Sequence, residues 1–232
     1  RPNAELQRKQ AFDGLQKDGR LLIQNDLQVK ILSKKLLEKL NLQTSSEISD
    51  QPSPARLIVP IHTNPRVLAL TQEGRVAMVR WEFAGQQPGS VDRFLPTGLE
   101  GEKIVTILPI ENNNQHTIGL LTTDGRFKRL PIEEFLDLSG RAASILKLKD
   151  GVILKAAVIC EEENHVIIMS NIGRLLKLKV NNTSLPIMGK LAQGPIVMRL
   201  LPGETIVGAI SKAKSIFIAT EKGYISKIDL SS

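Results

Sequence analysis

The sequence predicts an all-β fold, a propeller-like disc of five blades (six being the alternative count) built from repeated hairpin units with hardly any helix. Three observations carry this. A hairpin recurs five times at about 50-residue spacing, glycine marks most of its turns, and a further apolar strand recurs between hairpins with the same period. A period of that size is the mark of a repeat architecture. Unit sheets without a flat interface to stack into a solenoid close radially instead.

The elements follow in order along the chain. Residues 1–17 are polar and helix-compatible and read as a connection from an upstream domain, with the repeat domain at 18–232. The opening Arg1-Pro2-Asn3, without an initiator Met, suggests a fragment of a longer protein. The first hairpin, RLLIQNDLQVKIL (20–32), is degenerate and puts Leu27 where the glycine would fall. The other four are VLALTQEGRVAMV (67–79), IGLLTTDGRFKRL (118–130), VIIMSNIGRLLKL (166–178) and IFIATEKGYISKI (216–228). Their glycines Gly74, Gly125, Gly173 and Gly223 are 51, 48 and 50 residues apart, and each supplies the positive φ that hairpin turns need.

The segment before each turn is apolar at consecutive positions, as in Val67-Leu68-Ala69-Leu70 and Val166-Ile167-Ile168-Met169. Such a run is a strand buried on both faces. The segment after the turn is mixed. Its apolar anchors keep one register (Val29/Leu32, Val76/Val79, Phe127/Leu130, Leu175/Leu178, Ile225/Ile228), with charges such as Lys30, Arg129, Lys177 and Lys227 between them. That pattern places it nearer the outside of its sheet. A third strand follows an acidic or Pro residue and glycine in EGEKIVTILPI (100–110), DGVILKAAVI (150–159) and PGETIVGAI (202–210). Short helical turns are expected at PIEEFLDL (131–138) and SKKLLEKL (33–40), where Pro131 and Ser33 suit a helix start. The Ser/Pro-rich, acidic stretch QTSSEISDQPSP (43–54) reads as the mobile long loop of the first blade.

Composition narrows the function. The chain has 232 residues, a formal charge of +7 and a pI near 9.6, which favour a polyanionic partner. No apolar stretch approaches the roughly 20 residues of a membrane helix, and no signal-peptide h-region is visible. The lone Cys160, in ILKAAVIC, reads as a buried small hydrophobe in a reducing compartment.

A surface that follows duplex phosphates needs cations at the repeat period. On the outer strands and their turns the candidates are Lys30, Arg75, Arg80, Arg126, Lys128, Arg129, Arg174, Lys177, Lys179, Lys222 and Lys227. The long loops add Arg141 beside Gly140 and Lys190 beside Gly189, where glycine lets backbone amides approach phosphate. The bland alternative is that all are ordinary solvated charges. Without a recognition helix, selectivity would come from DNA bendability.

Catalysis has little support. Tyr224, the only tyrosine, occupies the position held by Arg75, Arg126 and Arg174 in sister repeats and is a repeat residue, not a nucleophile. His62, His116 and His165 show no metal-ligand spacing, and no phosphate-cradling P-loop is present. Glu161-Glu162-Glu163 reads as a solvated tip that could repel DNA, Glu133-Glu134 as first-turn charges, and Trp81 as a core or inter-blade plug.

The hairpin series, LPIEEF with SGRAASILKLKDG (130–151), and LPIMGKLAQGPIVMRLLPGETIVGA (185–209) together resemble the C-terminal domain of the A subunit of bacterial DNA gyrase and its relative in topoisomerase IV. The wording is nearest a cyanobacterial or plastid version. The resemblance covers roughly residues 18 to 232 and implies a β-pinwheel, with strands exchanged between neighbours and duplex DNA bent around a basic rim. It implies a non-catalytic, DNA-binding part of an ATP-dependent type IIA topoisomerase that controls supercoiling. Its partners would be duplex DNA, the rest of the homodimeric A subunit and the ATPase B subunit. ATP and Mg would belong to the holoenzyme, with no cofactor or metal in this chain and no membrane partner. The location would be cytoplasmic, at the nucleoid, or the plastid stroma. One departure stands out. Where gyrase proper carries a basic Gly-rich box of the form Q-R-R-G-G-K-G, this chain reads LNLQTSSEISDQPSPA (40–55), without Arg, Lys or Gly. That leaves gyrase and topoisomerase IV both open. The alternative from a different class is a protein-interaction propeller whose basic charge is incidental.

Overall fold

The computed structural model describes residues 19–33, 35, 55–111, 113, 115–138 and 140–230. The connection at 1–17, most of the helical turn at 33–40 and the loop at 43–54 lie outside the described residues. The strands are β1 (Arg20–Gln24), β2 (Gln28–Leu32), β3 (Ala55–Pro60), β4 (Arg66–Thr71), β5 (Arg75–Met78), β6 (Gly89–Ser90), β7 (Ile104–Ile110) and β8 (His116–Thr122). They continue with β9 (Phe127–Pro131), β10 (Ala143–Ser144), β11 (Leu154–Glu161), β12 (His165–Ser170), β13 (Leu175–Lys179), β14 (Ile206–Ser211), β15 (Ser215–Ala219) and β16 (Ile225–Asp229). Four 3-10 turns, at Ile61–Thr63, Trp81–Phe83, Val91–Phe94 and Ile132–Phe135, are the only helical elements assigned a span among the described residues. The last is the helical turn expected after Pro131. No described helix is long and apolar enough to cross a membrane.

The strands form five sheets, ordered β3-β1-β2-β6, β10-β5-β4-β7, β11-β8-β9, β13-β12-β14 and β15-β16. One plan underlies the first four. The apolar strand of each hairpin (β1, β4, β8, β12) takes its hairpin mate on one side and the later third strand on the other. Flanked on both edges, it buries both faces, as the runs of consecutive apolar residues require: all of Val67 to Leu70 is fully buried. β15 departs from the plan. Among the described residues it has only β16 beside it, and Phe217 and Ile225 are each about seven-tenths exposed. A two-stranded ribbon has too little surface to bury both faces of its apolar strand.

Each hairpin turn closes with the amide of its left-handed residue donating three residues back, from Gly74, Gly125, Gly173 and Gly223 at 2.9–3.1 Å. Leu27 adopts the same geometry in the degenerate copy, with φ 62° and its amide 2.9 Å from the Gln24 carbonyl. The fold therefore imposes the turn even where no glycine favours it. That backbone costs an L-residue about 1–2 kcal/mol.

By contacts the chain divides into two compact units, the first taking in 1–70, 75–111 and 138–143, the second 71–74, 112–137 and 144–232. The first unit's core gathers Leu21, Ile23, Val29, Ile31, Val67, Ala69, Phe94 and Ile104 around Trp81. Trp81 is buried, as expected of a plug, and donates its indole N–H to the Pro65 carbonyl at 2.7 Å. The second unit's core joins Leu121, Phe127, Val158, Val166, Ile168 and Met198 around a fully buried Cys160. Burial pushes that thiol up to about 12, with Arg129 pulling the other way.

Candidate nucleic-acid interface

The outer hairpin strands carry the cations, and the structure sorts them by what they touch. Arg75 and Arg174 follow the turn glycine in their hairpins, and each pairs with the glutamate that follows the glycine before the third strand. Arg75 meets Glu102 at 2.5 Å and Arg174 meets Glu204 at 2.7 Å. The pair is a repeat device: it ties a hairpin turn to the loop entering the same sheet. Glu204 is buried, and the Ser170 hydroxyl and the Leu201 amide beside it hold its carboxyl below the usual carboxylate range, with Arg174 adding to the effect. The third hairpin has Val152 at the equivalent position and cannot form this pair. There Arg126 turns to Asp124 at 3.1 Å and donates to the Gly194 carbonyl at 2.9 Å.

Lys128 and Arg129 correct the expectation of outward cations. Both are fully buried. The Lys128 ammonium donates to the Gly189 carbonyl at 2.8 Å and the Lys190 carbonyl at 2.6 Å, and burial lowers its pKa to about 8. Arg129 donates to the Leu185 carbonyl, to Asn182 at 3.1 Å and to Glu162 at 2.5 Å. The cause is the segment that follows the next hairpin, which lies along the open edge of β9. Its outgoing arm bonds Phe127 N–H to the Pro195 carbonyl at 3.1 Å, and its incoming arm bonds Arg129 N–H to the Pro186 carbonyl at 3.0 Å. In the same way β6 borders β2 and β10 borders β5. Exchange of edge segments between successive repeats is thus built into the sheets.

Glu161-Glu162-Glu163 leads into the turn between β11 and β12, where Glu162 and Glu163 are exposed as expected of a solvated tip, and each acid is also ion-paired. Glu161 pairs with Lys212, Glu162 with Arg129 and Glu163 with Lys179. The Lys212 ammonium holds the Glu161 carboxyl below its usual range. Each acid neutralises a cation from a different segment, so the run ties segments together.

A family match falls on the third, fourth and fifth repeats. Residues 120–161, 164–211 and 214–232 match the model of the DNA gyrase C-terminal domain, a beta-propeller. Over these repeats the chain is similar to the DNA gyrase C-terminal propeller family. The A subunit of DNA topoisomerase 4 from Synechocystis sp. (strain ATCC 27184 / PCC 6803 / Kazusa) is 31% identical over 124 residues, covering 49% of this chain and 14% of that protein. The A subunit of DNA gyrase from Borrelia hermsii (strain HS1 / DAH) is 21% identical over 238 residues, covering 97% of this chain and 28% of that protein. The chain thus spans less than a third of either relative. A crystal structure of the C-terminal domain of DNA topoisomerase IV superposes with a TM-score of 0.74 at 19% identity, over 93% of this chain and 68% of that one. The all-β propeller expected from the repeats is therefore the fold of this family.

Within that fold, the remaining predicted cations differ in what balances them. Lys179 and Lys190 pair with Glu163 at 2.5 Å and Glu134 at 2.6 Å, and Lys177 donates to the Leu230 carbonyl at 2.8 Å. Arg80 lies over the Phe83 ring at 5.2 Å and Lys227 over Phe217 at 5.9 Å. Lys30 is half-buried, and Arg141 and Lys222 are exposed. Among the described residues no carboxylate lies within ion-pair distance of Lys30, Arg80, Arg141, Lys222 or Lys227. Sequence reasoning passed over a second set of exposed cations: Arg66, Arg93 and Lys103 in the first unit, and Lys147, Lys149, Arg199 and Lys214 in the second. All lie outside the hairpins' outer strands. The alternation in LKLKD at 146–150 was the one visible signal for Lys147 and Lys149. No group of three His, Cys, Asp or Glu among the described residues could hold a metal ion.

Proposed function

We propose that this chain is the non-catalytic DNA-binding part of a type IIA topoisomerase A subunit. It bends the duplex next to the cleaved segment and so tunes strand passage and supercoiling. What carries the reading is the conjunction of repeats similar to the gyrase family with exposed cations that no carboxylate among the described residues neutralises, among them Arg80, Arg141, Lys147, Lys149, Arg199 and Lys222. Such cations bind phosphates without reading bases, and contact with flexible DNA then favours sites that bend easily. Strand cleavage, ATP and Mg chemistry belong in this reading to the rest of the A subunit and to the ATPase B subunit. The test is titration of a linear duplex against the chain across a salt series. The logarithm of the binding constant is expected to fall with the logarithm of salt by about 0.9 per phosphate neutralised. Absence of duplex binding at low salt refutes the reading, and nicking and ligation of bound plasmid then reports wrapping through the change in linking number.

A further inference from the structure

The tip of the loop held against β9 is arranged unlike any other turn described in the molecule. Its carbonyls are drawn inward onto a buried ammonium: Lys128 has no carboxylate partner among the described residues and donates instead to the Gly189 carbonyl at 2.8 Å and the Lys190 carbonyl at 2.6 Å. In a trans peptide the C=O and the following N–H point in opposite directions. The amides of Lys190 and Leu191 are therefore turned away from Lys128. Neither donates to any described residue, whereas the next amide, Ala192 N–H, closes the turn on the Gly189 carbonyl at 3.1 Å. Gly189 is exposed, Leu191 is about two-thirds exposed, and a Cβ on Gly189 would meet nothing within 4 Å, so the approach to both amides is open. The Lys190 side chain stands on the same turn, balanced by a half-exposed Glu134 at 2.6 Å.

We propose that the Lys190 and Leu191 amides form a phosphate-binding turn, and that Lys128 is the positioning residue that creates it by fixing both carbonyls inward. Adjacent outward amides make an anion-receiving concavity, and here a cation behind the peptide plane fixes their direction. The Lys190 ammonium stays on Glu134, so the phosphate meets neutral amides alone. Arg126 on the Gly194 carbonyl and Arg129 on the Leu185 carbonyl pin the two ends of the loop, so these basic residues serve the turn without touching the ligand. This rests on the DNA-binding reading above, and the ligand is then a phosphodiester of duplex DNA rather than free phosphate.

Two variants of the full chain test it: Lys128→Met, which removes the inner cation, and Gly194→Ala, which changes no charge. A Cβ at Gly194 would lie 2.1 Å from the Phe127 carbonyl oxygen, so it must lift the loop from β9. Both are expected to weaken duplex binding about tenfold, the equivalent of one charge-assisted contact, while leaving the salt slope within error of the parent. Neutral amides release no counter-ion. In the parent, the Lys190 and Leu191 amide proton resonances move downfield on adding duplex, and much less with inorganic phosphate at the same phosphate concentration. Equal duplex affinity in the parent and in a folded Gly194→Ala variant overturns the proposal. So does a salt slope reduced by about 0.9 in Lys128→Met, which would make Lys128 itself a phosphate contact. A parent that binds no duplex, yet whose two amides shift with inorganic phosphate, keeps the turn as an anion site and removes the DNA-binding reading instead.

Discussion

Raising the pH is expected to stabilise this protein through Lys128, opposite to the usual behaviour of a paired lysine. The side chain is fully buried, bonded to two neutral carbonyls, and its pKa is lowered from 10.5 to about 8 by burial. Below about pH 8 the ammonium is charged in both folded and unfolded chains, and the folded state bears the whole desolvation cost. Between about 8 and 10.5 the unfolded chain holds the proton and the folded chain has released it. The unfolded state then binds more protons, so stability rises with pH across that window. At about 1.4 kcal/mol per pKa unit the full gain is on the order of 3–4 kcal/mol. Other lysines lose their ion pairs at the same pH, so the measurement is the difference between the parent and Lys128→Met in urea unfolding at pH 7, 8, 9 and 10. That difference should shift in favour of the parent by about 1 kcal/mol between pH 7 and 9. The variant itself leaves the Lys190 carbonyl without its donor, at up to about 1–3 kcal/mol, while the Gly189 carbonyl keeps the Ala192 amide, against the desolvation it relieves. A parent-minus-variant difference that stays flat from pH 7 to 10 refutes the reasoning, because it would mean that the ammonium is not desolvated.

Further outcomes follow from the same contacts. A Cβ at Gly125 would lie 2.0 Å from the Met198 carbonyl oxygen, whereas one at Gly223 meets nothing within 4 Å, although both glycines have positive φ. Gly125→Ala should therefore cost more than about 3 kcal/mol and Gly223→Ala only about 1 kcal/mol of backbone strain, measured by chemical denaturation. Arg174→Ala should lower the unfolding midpoint while leaving the salt slope of DNA binding unchanged, because its guanidinium is engaged with buried Glu204. Arg141→Ala and Lys222→Ala should instead each reduce the slope by up to about 0.9 with little effect on stability. The Cys160 thiol, fully buried and pushed up to about 12, should resist alkylation at pH 8 in the folded chain and react on unfolding; rapid native-state alkylation would show an open core.

Much of the fold was legible because its causes are local. The runs before each turn, such as Val67 to Leu70, have no polar face, so only a strand flanked on both edges accommodates them, and the sheet order places them there. The glycine register read directly as left-handed turn residues, with Leu27 taking the same conformation. The candidate interface was legible only in part. Arg75 and Arg174 were visible as repeat residues, but their partners Glu102 and Glu204 lie 27 and 30 residues downstream, where charge alternation gives no cue. The fifth hairpin carries the same pattern as the others but lacks a third strand among the described residues, so Phe217 and Ile225 are exposed despite their register.

By itself the sequence determined the repeat, the all-β class, the strand that forms the middle of each sheet and the sign of the overall charge. Each of these depends on neighbours within one hairpin or on composition. Only the tertiary structure decided which charges reach solvent. Lys128 and Arg129 are adjacent charges on an outer strand and read as surface residues, yet a segment beginning at Leu185 closes over them. Whether a charge on an edge strand is hydrated or enclosed depends on what pairs with that edge, and here the covering chain comes from 56 and 61 residues away.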